Sequence, residues 1–411
     1  MATNAPGFGS TDRIDTLDLI RGVAVMGILS VNIVDFGGPE QRYFNPLALG
    51  PSDPASLWVW ALNYVFVDGK FYTLFSMMFG ASLLLVTERA DASGRGGWSV
   101  HWRRMAALFV IGSLHALLLW RGDILVSYAL AGLVATRLRH VSDKALKRWG
   151  IGLLALMMLL MGAMFAGQTH LLAKVDAGQA PDRVEEARAI RSAFTPTAAE
   201  VARDIAANTG PAFVRMRDLG QHYLTELGAA LFLLPITLAN MIAGMFAYRR
   251  GLFTGAWDDA RLKRFAAWTI PLGLAAHAAL AFTLWATGFP APAMMTGIHG
   301  LMLPIQIAQG LGYAALAILL ARGWGPLARR VAAAGRAAFS NYLGTSALMV
   351  GMFNIAGYYG RWDRWPMWLI VPCVWALMLL WSKPWLDRYR YGPAEWLWRS
   401  LANLKPQPMR R

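Results

Sequence analysis

A histidine inside an apolar run is followed, across a tight turn, by an aspartate that opens the next run. The stretch reads Gly112-Ser-Leu-His115-Ala-Leu-Leu-Leu-Trp120-Arg-Gly-Asp123-Ile-Leu-Val-Ser-Tyr128. An aspartate that accepts from one imidazole nitrogen fixes the tautomer and leaves the other nitrogen as a base. Ionisable groups at membrane depth are costly, so they face a bundle interior, pair up or serve function. The same residues also admit a structural reading. His115 would then bond a backbone carbonyl, and Asp123 would cap the helix that begins Ile-Leu-Val.

Other polar residues are set into apolar runs. Arg21 lies about one turn inside the first run, where it could snorkel toward headgroups with Asp18 or bind a phosphate or carboxylate. Asn32 follows about three turns later and shares its face. Lys70 stands in Asp68-Gly-Lys70-Phe-Tyr-Thr-Leu-Phe-Ser76 at the start of the second run. It could be an interfacial anchor, a partner of Asp68 or a contact to an anionic substrate. Arg336, Ser340 and Asn341 in Gly335-Arg336-Ala-Ala-Phe-Ser340-Asn341-Tyr342 could bind a phosphate or bond neighbouring helices. In the tail, Glu395 and Arg399 stand at i,i+4, the favourable ion-pair order on a helix. His277, His299, Gln306 and Gln309 are weaker candidates. His101, His140, His170 and His222 are expected in solvent. No metal-like spacing, phosphate-binding glycine loop or GxSxG elbow is present.

The elements that must position these residues are membrane helices. Of the 411 residues, 56% are hydrophobic and 15% charged, and mean hydropathy is +0.39. A soluble chain carries about 25% charged residues. We expect an all-α polytopic membrane protein with about ten spans, at 17–35, 70–87, 103–120, 123–139, 149–167, 227–248, 265–287, 297–321, 337–356 and 366–386. The aromatic run 57–67 is read as an interfacial helix. The net charge of +15 sits in short gaps between runs, which is positive-inside placement rather than a nucleic-acid surface. Basic residues crowd the gaps after spans two, four, six and eight and the tail after span ten. That pattern puts both termini in the cytoplasm.

Residues 1–411 are therefore read as one membrane domain. It comprises amino-terminal helices (16–167), an extracytoplasmic helical cap (168–226), carboxy-terminal helices (227–386) and a cytoplasmic tail (387–411). Thr197-Ala-Ala-Glu200 resembles a capping box within the cap. No cleavable signal is apparent, and Cys373 alone allows no intrachain disulfide. The pattern Phe75-Ser76 to Gly80 and Ser82 resembles Phe339-Ser340 to Gly344 and Ser346, either as an inverted repeat or as shared helix packing.

Several blocks together resemble the YeiB-like bacterial inner-membrane proteins, a family defined by a domain of unknown function. They are Leu17-Asp18-Leu-Ile-Arg21-Gly22 through Val31-Asn32; Gly69-Lys70-Phe71 with Leu74-Phe75-Ser76 and Phe79-Gly80; and His115-Ala116 with Gly122-Asp123-Ile124-Leu125 and Tyr128-Ala129. Gly335-Arg336 with Ser340-Asn341-Tyr342, and Tyr391-Gly392-Pro393 with Glu395-Trp396 and Trp398-Arg399, complete the set. That family is similar to a wider group of transmembrane acyltransferases, which use cytoplasmic acyl-CoA to modify a sugar or lipid on the far side. The shared feature is mainly Leu-Asp-x-x-Arg-Gly. The type-three acyltransferases carry a histidine where Asn32 stands. The lysosomal glucosaminide acetyltransferase has Asn there and a histidine shortly after, where this chain reads Tyr43-Phe44-Asn45-Pro46. For acyl transfer, His115 must then supply the base from another helix.

The resulting expectation is a transmembrane O- or N-acyltransferase of the bacterial inner membrane. It would use acyl-CoA as co-substrate, no permanently bound cofactor and no metal, and an envelope glycan or lipid as acceptor. His115 and Asp123 are the candidate catalytic pair. Arg21, Asn32, Lys70, Ser76, Tyr128, Arg336, Ser340, Asn341 and Tyr342 are candidate binding residues. Membrane lipids and an oligomer or larger complex are the expected partners. A transporter with a His115–Asp123 proton relay, and a non-catalytic subunit of a membrane complex, remain as alternatives.

Overall fold

The computed structural model describes residues 10–411 and all their side chains except those of 10–15, 295, 296, 298, 299 and 324. His299 therefore lies outside the described side chains. Helix makes up 80% of the structure, and no strand is present among the described residues. The first half comprises α1 (Ser10–Gly37), α2 (Gln41–Phe44), α3 (Pro54–Phe66), α4 (Lys70–Ala92), α5 (Gly97–Leu118), α6 (Leu125–Arg137) and α7 (Asp143–Asp176). Three helices follow: α8 (Val184–Ser192), α9 (Ala198–Thr209) and α10 (Ala212–Phe232). The second half comprises α11 (Leu234–Arg249), α12 (Asp259–Ala286), α13 (Ala291–Thr296), α14 (Leu303–Arg336), α15 (Ala338–Val350), α16 (Arg364–Trp368), α17 (Ile370–Arg388) and α18 (Pro393–Asn403).

The chain is an all-α polytopic membrane protein. Among the described residues, six helices are long and apolar enough to cross a membrane, and the pair α10–α11, bent by 49°, makes a seventh. The other three expected spans fall on α5, α6 and α15. Helices α6 and α15 have 13 residues each, about 20 Å of helix against a hydrocarbon core of about 30 Å. Residues 57–67 form most of α3, which exposes Trp58, Leu62 and Phe66 and buries Trp60 and Tyr64.

Backbone contact between helices depends on absent side chains. A Cβ on Gly22 would strike the Val331 carbonyl, and one on Gly335 would strike that of Asp18, so α1 and α14 touch directly. Gly80 against Met241 and Gly244 against Met77 do the same for α4 and α11. Gly344, the counterpart of Gly80 in the internal similarity, faces open space. The two segments therefore do not play equivalent packing roles.

Helix α14 is broken at Gly325, whose φ of 39° and ψ of −102° suit glycine, and Pro326 follows. The limb after the break lies across α1 through Val331 and Gly335 and across α17, where Arg330 donates to the Leu379 carbonyl at 3.1 Å.

The capping box at Thr197 and Glu200 forms as its sequence predicts and starts α9. Helices α9 and α10 fold against one end of the bundle. Arg215 donates to the carbonyls of Leu118 (3.2 Å) and Leu119 (2.8 Å), and the Tyr359 hydroxyl donates to Asp204 at 2.7 Å. The bundle helices reach further into residues 168–226 than hydropathy predicts. Helix α7 runs to Asp176 and α10 begins at Ala212.

Candidate active site

Helix α5 stops at Leu118 and α6 starts at Leu125, so the turn returns the chain beside itself. This brings His115 Nδ1 to 2.8 Å from Asp123 Oδ2, with the two side chains 1% and 2% exposed. Asp123 Oδ1 accepts the Val126 N–H at 2.9 Å. One carboxylate thus holds the start of α6 and orients the imidazole, while the backbone-carbonyl bond of the structural reading is not formed among the described residues. The arrangement assigns the ring proton to Nδ1 and the lone pair to Nε2. Nε2 is buried and has no hydrogen-bond partner among the described residues. The Tyr342 ring lies 5.2 Å from the imidazole, and Trp120 meets it edge-on at 6.3 Å.

Beside the pair is a cavity of about 370 Å³, within the range of small-molecule sites. Asn32 and Asp35 of α1, Tyr72 of α4, Thr237 of α11 and Gln306 of α14 contribute to its wall. Its charged lining comprises five carboxylates, Asp35, Glu40, Asp68, Asp123 and Glu226, and the single guanidinium of Arg121. Trp120 Nε1 donates to Asp35 at 2.6 Å, and the Tyr43 hydroxyl donates to Asp68 at 2.9 Å. Arg121 lies 3.3 Å from Glu40 and 3.9 Å from Asp204. Burial opposes the Arg121 charge, but Asp35 and Glu40 outweigh it and raise its pKa. His115 itself is not in the wall. Ala116, Trp120, Asp123 and Ile124 are, and the imidazole meets this wall through its Nδ1 bond to Asp123.

Of the other candidates, Asn32 and Gln306 line this cavity. The Lys70 side chain is buried and donates to the Tyr64 carbonyl. Ser76 donates to the Tyr72 carbonyl and accepts from Tyr128, both at 2.9 Å, which ties α4 to α6. Tyr128 is buried, with Phe75 and Phe79 against its ring. Arg21 bonds Asp18 at 2.6 Å and Ser82 of α4 at 2.8 Å. Arg21 also donates to the Gly335 carbonyl at 3.5 Å, next to Arg336, which lines a separate groove whose wall does not include Arg21.

Asn341 Nδ2 donates to the Ala334 carbonyl and to Ser382, while its oxygen accepts from Trp381. Ser340 donates to Glu395 at 2.5 Å. These two residues join neighbouring segments. The expected Glu395–Arg399 pair is not formed. Glu395 turns instead to the start of α15, where it accepts the N–H groups of Phe339 (2.7 Å) and Ser340 (3.2 Å), and Arg399 stacks on Tyr391. Those N–H groups belong to a helix start with no intrahelical acceptor, which favours the acid.

His101 is buried rather than solvated, because its face of α5 meets Gly132 of α6. His140, His170 and His222 are exposed as expected. His277 Nδ1 bonds the Gly273 carbonyl at 2.8 Å. No cluster of three potential metal ligands occurs among the described residues.

Sequence reasoning did not single out Asp35, Glu40, Arg121 or Glu226. Asp35 carried a signal, since it follows Asn32 by three residues on the same helix face. Arg121 lies inside the turn that was already of interest. Nothing local marks Glu40 or Glu226, which reach the cavity from different segments.

Residues 247–405 match a family model described as "Protein of unknown function (DUF418)". The uncharacterized protein YeiB of Escherichia coli (strain K12) is 30% identical over 419 aligned positions, covering 95% of this chain and 96% of the relative. The uncharacterized protein YxaH of Bacillus subtilis (strain 168) is 27% identical, covering 97% and 96%. An uncharacterized 39.9 kDa protein in the amylase 3' region of Bacillus acidopullulyticus is 25% identical with the same coverage. A helical membrane scaffold, matched from end to end by these relatives, makes this chain a member of the YeiB-like family of unknown function.

Proposed function

We propose that the protein transfers an acyl group from cytoplasmic acyl-CoA to an acceptor in the cell envelope. It would sit in the bacterial inner membrane with both termini in the cytoplasm. The observation that carries this reading is the buried His115–Asp123 pair behind the wall of a cavity of ligand size. Under the proposed topology that cavity opens away from the cytoplasm. Its carboxylate-rich lining disfavours a phosphate, so it suits the acceptor, and the donor approaches from the opposite end.

In the reaction, His115 Nε2 takes the proton of an acceptor hydroxyl or amine as that atom attacks the thioester carbonyl. The carbon–sulfur bond breaks, and the departing thiolate takes the proton back from the imidazolium. The products are an ester or amide and free thiol. Asp123 stabilises the transient imidazolium and holds the ring. His115 is not part of the cavity wall, so its side chain or the residues beside it must shift for Nε2 to reach the acceptor. The Leu-Asp-x-x-Arg-Gly pattern of α1 also supports the reading through its likeness to transmembrane acyltransferases.

The test is to replace His115 with Ala and profile acylated envelope glycans and lipids beside a full deletion strain. Loss of the same acylated species in both strains is expected. Intact acylation in the His115 variant, when deletion removes it, would sink the assignment.

A second reading, transport of a small molecule or lipid, is favoured by a different observation. Tyr64 Oη, His277 Nε2 and Gln309 Oε1 are buried polar atoms without partners among the described residues, and the buried Lys70 is nearby. Proton-coupled flux in proteoliposomes, lost on His277→Ala, would select it over acyl transfer.

A further inference from the structure

The break at Gly325 separates two limbs of α14 and leaves a wedge between them. A cavity of about 400 Å³ occupies this wedge. Leu19 of α1, Ile318 of the first limb and Leu386 of α17 give it an apolar floor, together with several alanines. Its charged lining is Arg322, Arg329, Arg336 and Lys383 against one acid, Asp387. Arg322 is paired with Asp259, and Lys383 with Asp387 at 2.7 Å. Arg329 and Arg336 are exposed and make no hydrogen bond or ion pair among the described residues.

Two exposed guanidinium groups that make no hydrogen bond or ion pair, with only the Lys383-paired Asp387 as an acid near Arg336, stand over apolar lining between membrane helices and match one kind of ligand. Guanidinium forks suit phosphate oxygens. Basic pockets between membrane helices suit phosphorylated headgroups. A free phosphate would leave the floor unused, and a neutral lipid would leave the arginines unused. We infer that this groove binds a phosphate ester bearing an acyl chain, with Arg329 and Arg336 on the phosphate and Leu19, Ile318 and Leu386 along the chain. An anionic phospholipid of the adjacent leaflet and an acyl-CoA share that chemistry. Only the acyl-CoA source rests on the acyl-transfer reading, and the groove does not depend on His115.

The experiment uses the purified full-length chain in detergent. Native mass spectrometry follows binding of dioleoylphosphatidylglycerol, dioleoylphosphatidylcholine and palmitoyl-CoA. The double variant Arg329→Gln, Arg336→Gln is compared with wild type and with Lys147→Gln, Arg148→Gln, an exposed pair elsewhere carrying the same charge change. Both altered arginines are exposed, and matching thermal unfolding midpoints verify that the variant folds. The groove variant is expected to lose about tenfold or more in affinity for phosphatidylglycerol or for palmitoyl-CoA, with the control unchanged. Selective loss of phosphatidylglycerol identifies a leaflet lipid, and selective loss of palmitoyl-CoA identifies the acyl donor. Equal binding of both ligands by wild type and groove variant overturns the inference. Equal losses in the groove variant and the control overturn it too, because they reflect net charge alone.

Discussion

Asp123 uses its two oxygens for two different tasks: Oδ2 holds His115 Nδ1 at 2.8 Å and Oδ1 holds the Val126 N–H at 2.9 Å. The start of α6 and the orientation of the imidazole are therefore one structural decision. Asp123→Asn keeps an oxygen for the cap but presents an amide to Nδ1. The ring proton then moves to Nε2, which no longer acts as a base. We predict that transfer falls by about 10²–10⁴ with the fold intact. Nitrogen-15 NMR of histidine-labelled protein reads the tautomer independently of activity. An Asp123→Asn protein with an unchanged His115 spectrum would contradict the assignment.

Trp120 meets the His115 ring edge-on and lines the cavity, while bonding Asp35 and stacking on Phe36 with ring centroids 4.0 Å apart. Wild-type His115 is predicted to resist diethylpyrocarbonate, and Trp120→Ala is predicted to expose it. Peptide mass spectrometry should then find His115 modified as readily as the exposed His222. Labelling of wild-type His115 at that rate would contradict its burial.

Gly80 and Gly244 allow α4 and α11 to meet at backbone distance. Replacing either with Leu forces the helices apart and should cost about 1–3 kcal/mol. Gly344→Leu, placed in open space, should cost little. Thermal unfolding in detergent ranks the three variants, and equal midpoints would count against the crossing.

Glu395 caps α15 from the tail, and burial raises its carboxyl above its ordinary value, with the bonds from Ser340 and Phe339 opposing. A raised acid binds its proton more tightly in the folded state. Its ionisation therefore costs stability, and that cost disappears as pH falls through the folded pKa. Relative to Glu395→Gln, the wild type should gain in unfolding midpoint as pH falls from neutral toward the ordinary carboxylate range. Glu395→Ala, which leaves two N–H groups unsatisfied, should lose about 1–3 kcal/mol. A wild-type minus Gln difference that shrinks on acidification would reverse the sign and exclude this account.

The His115–Asp123 contact was legible because both partners lie on one short turn, where spacing alone limits their separation. The two cavities were not legible. Asp35, Glu40, Asp68, Asp123 and Glu226 come from separate segments, and only the packing of those segments makes them one lining. Lys70, at a helix start, was open to reading as an interfacial anchor, a partner of Asp68 or a substrate contact. The structure buries it, since α3 turns back over that helix start and offers the Tyr64 carbonyl. Glu395 looked like half of a surface ion pair because Arg399 stands one turn away. The start of α15, distant in sequence, was the stronger partner.

Five carboxylates against one guanidinium also set the traffic of solutes into the first cavity. Field lines focused in such a pocket concentrate cations at its mouth and speed their capture. A cationic compound should therefore arrive more slowly as salt rises, with the screening length shrinking from about 10 Å at 0.1 M to about 3 Å at 1 M. A neutral sugar should arrive at the same rate in both. An anionic compound should arrive faster as salt rises, and that opposite salt dependence would show charge acting at the stage of encounter, before shape.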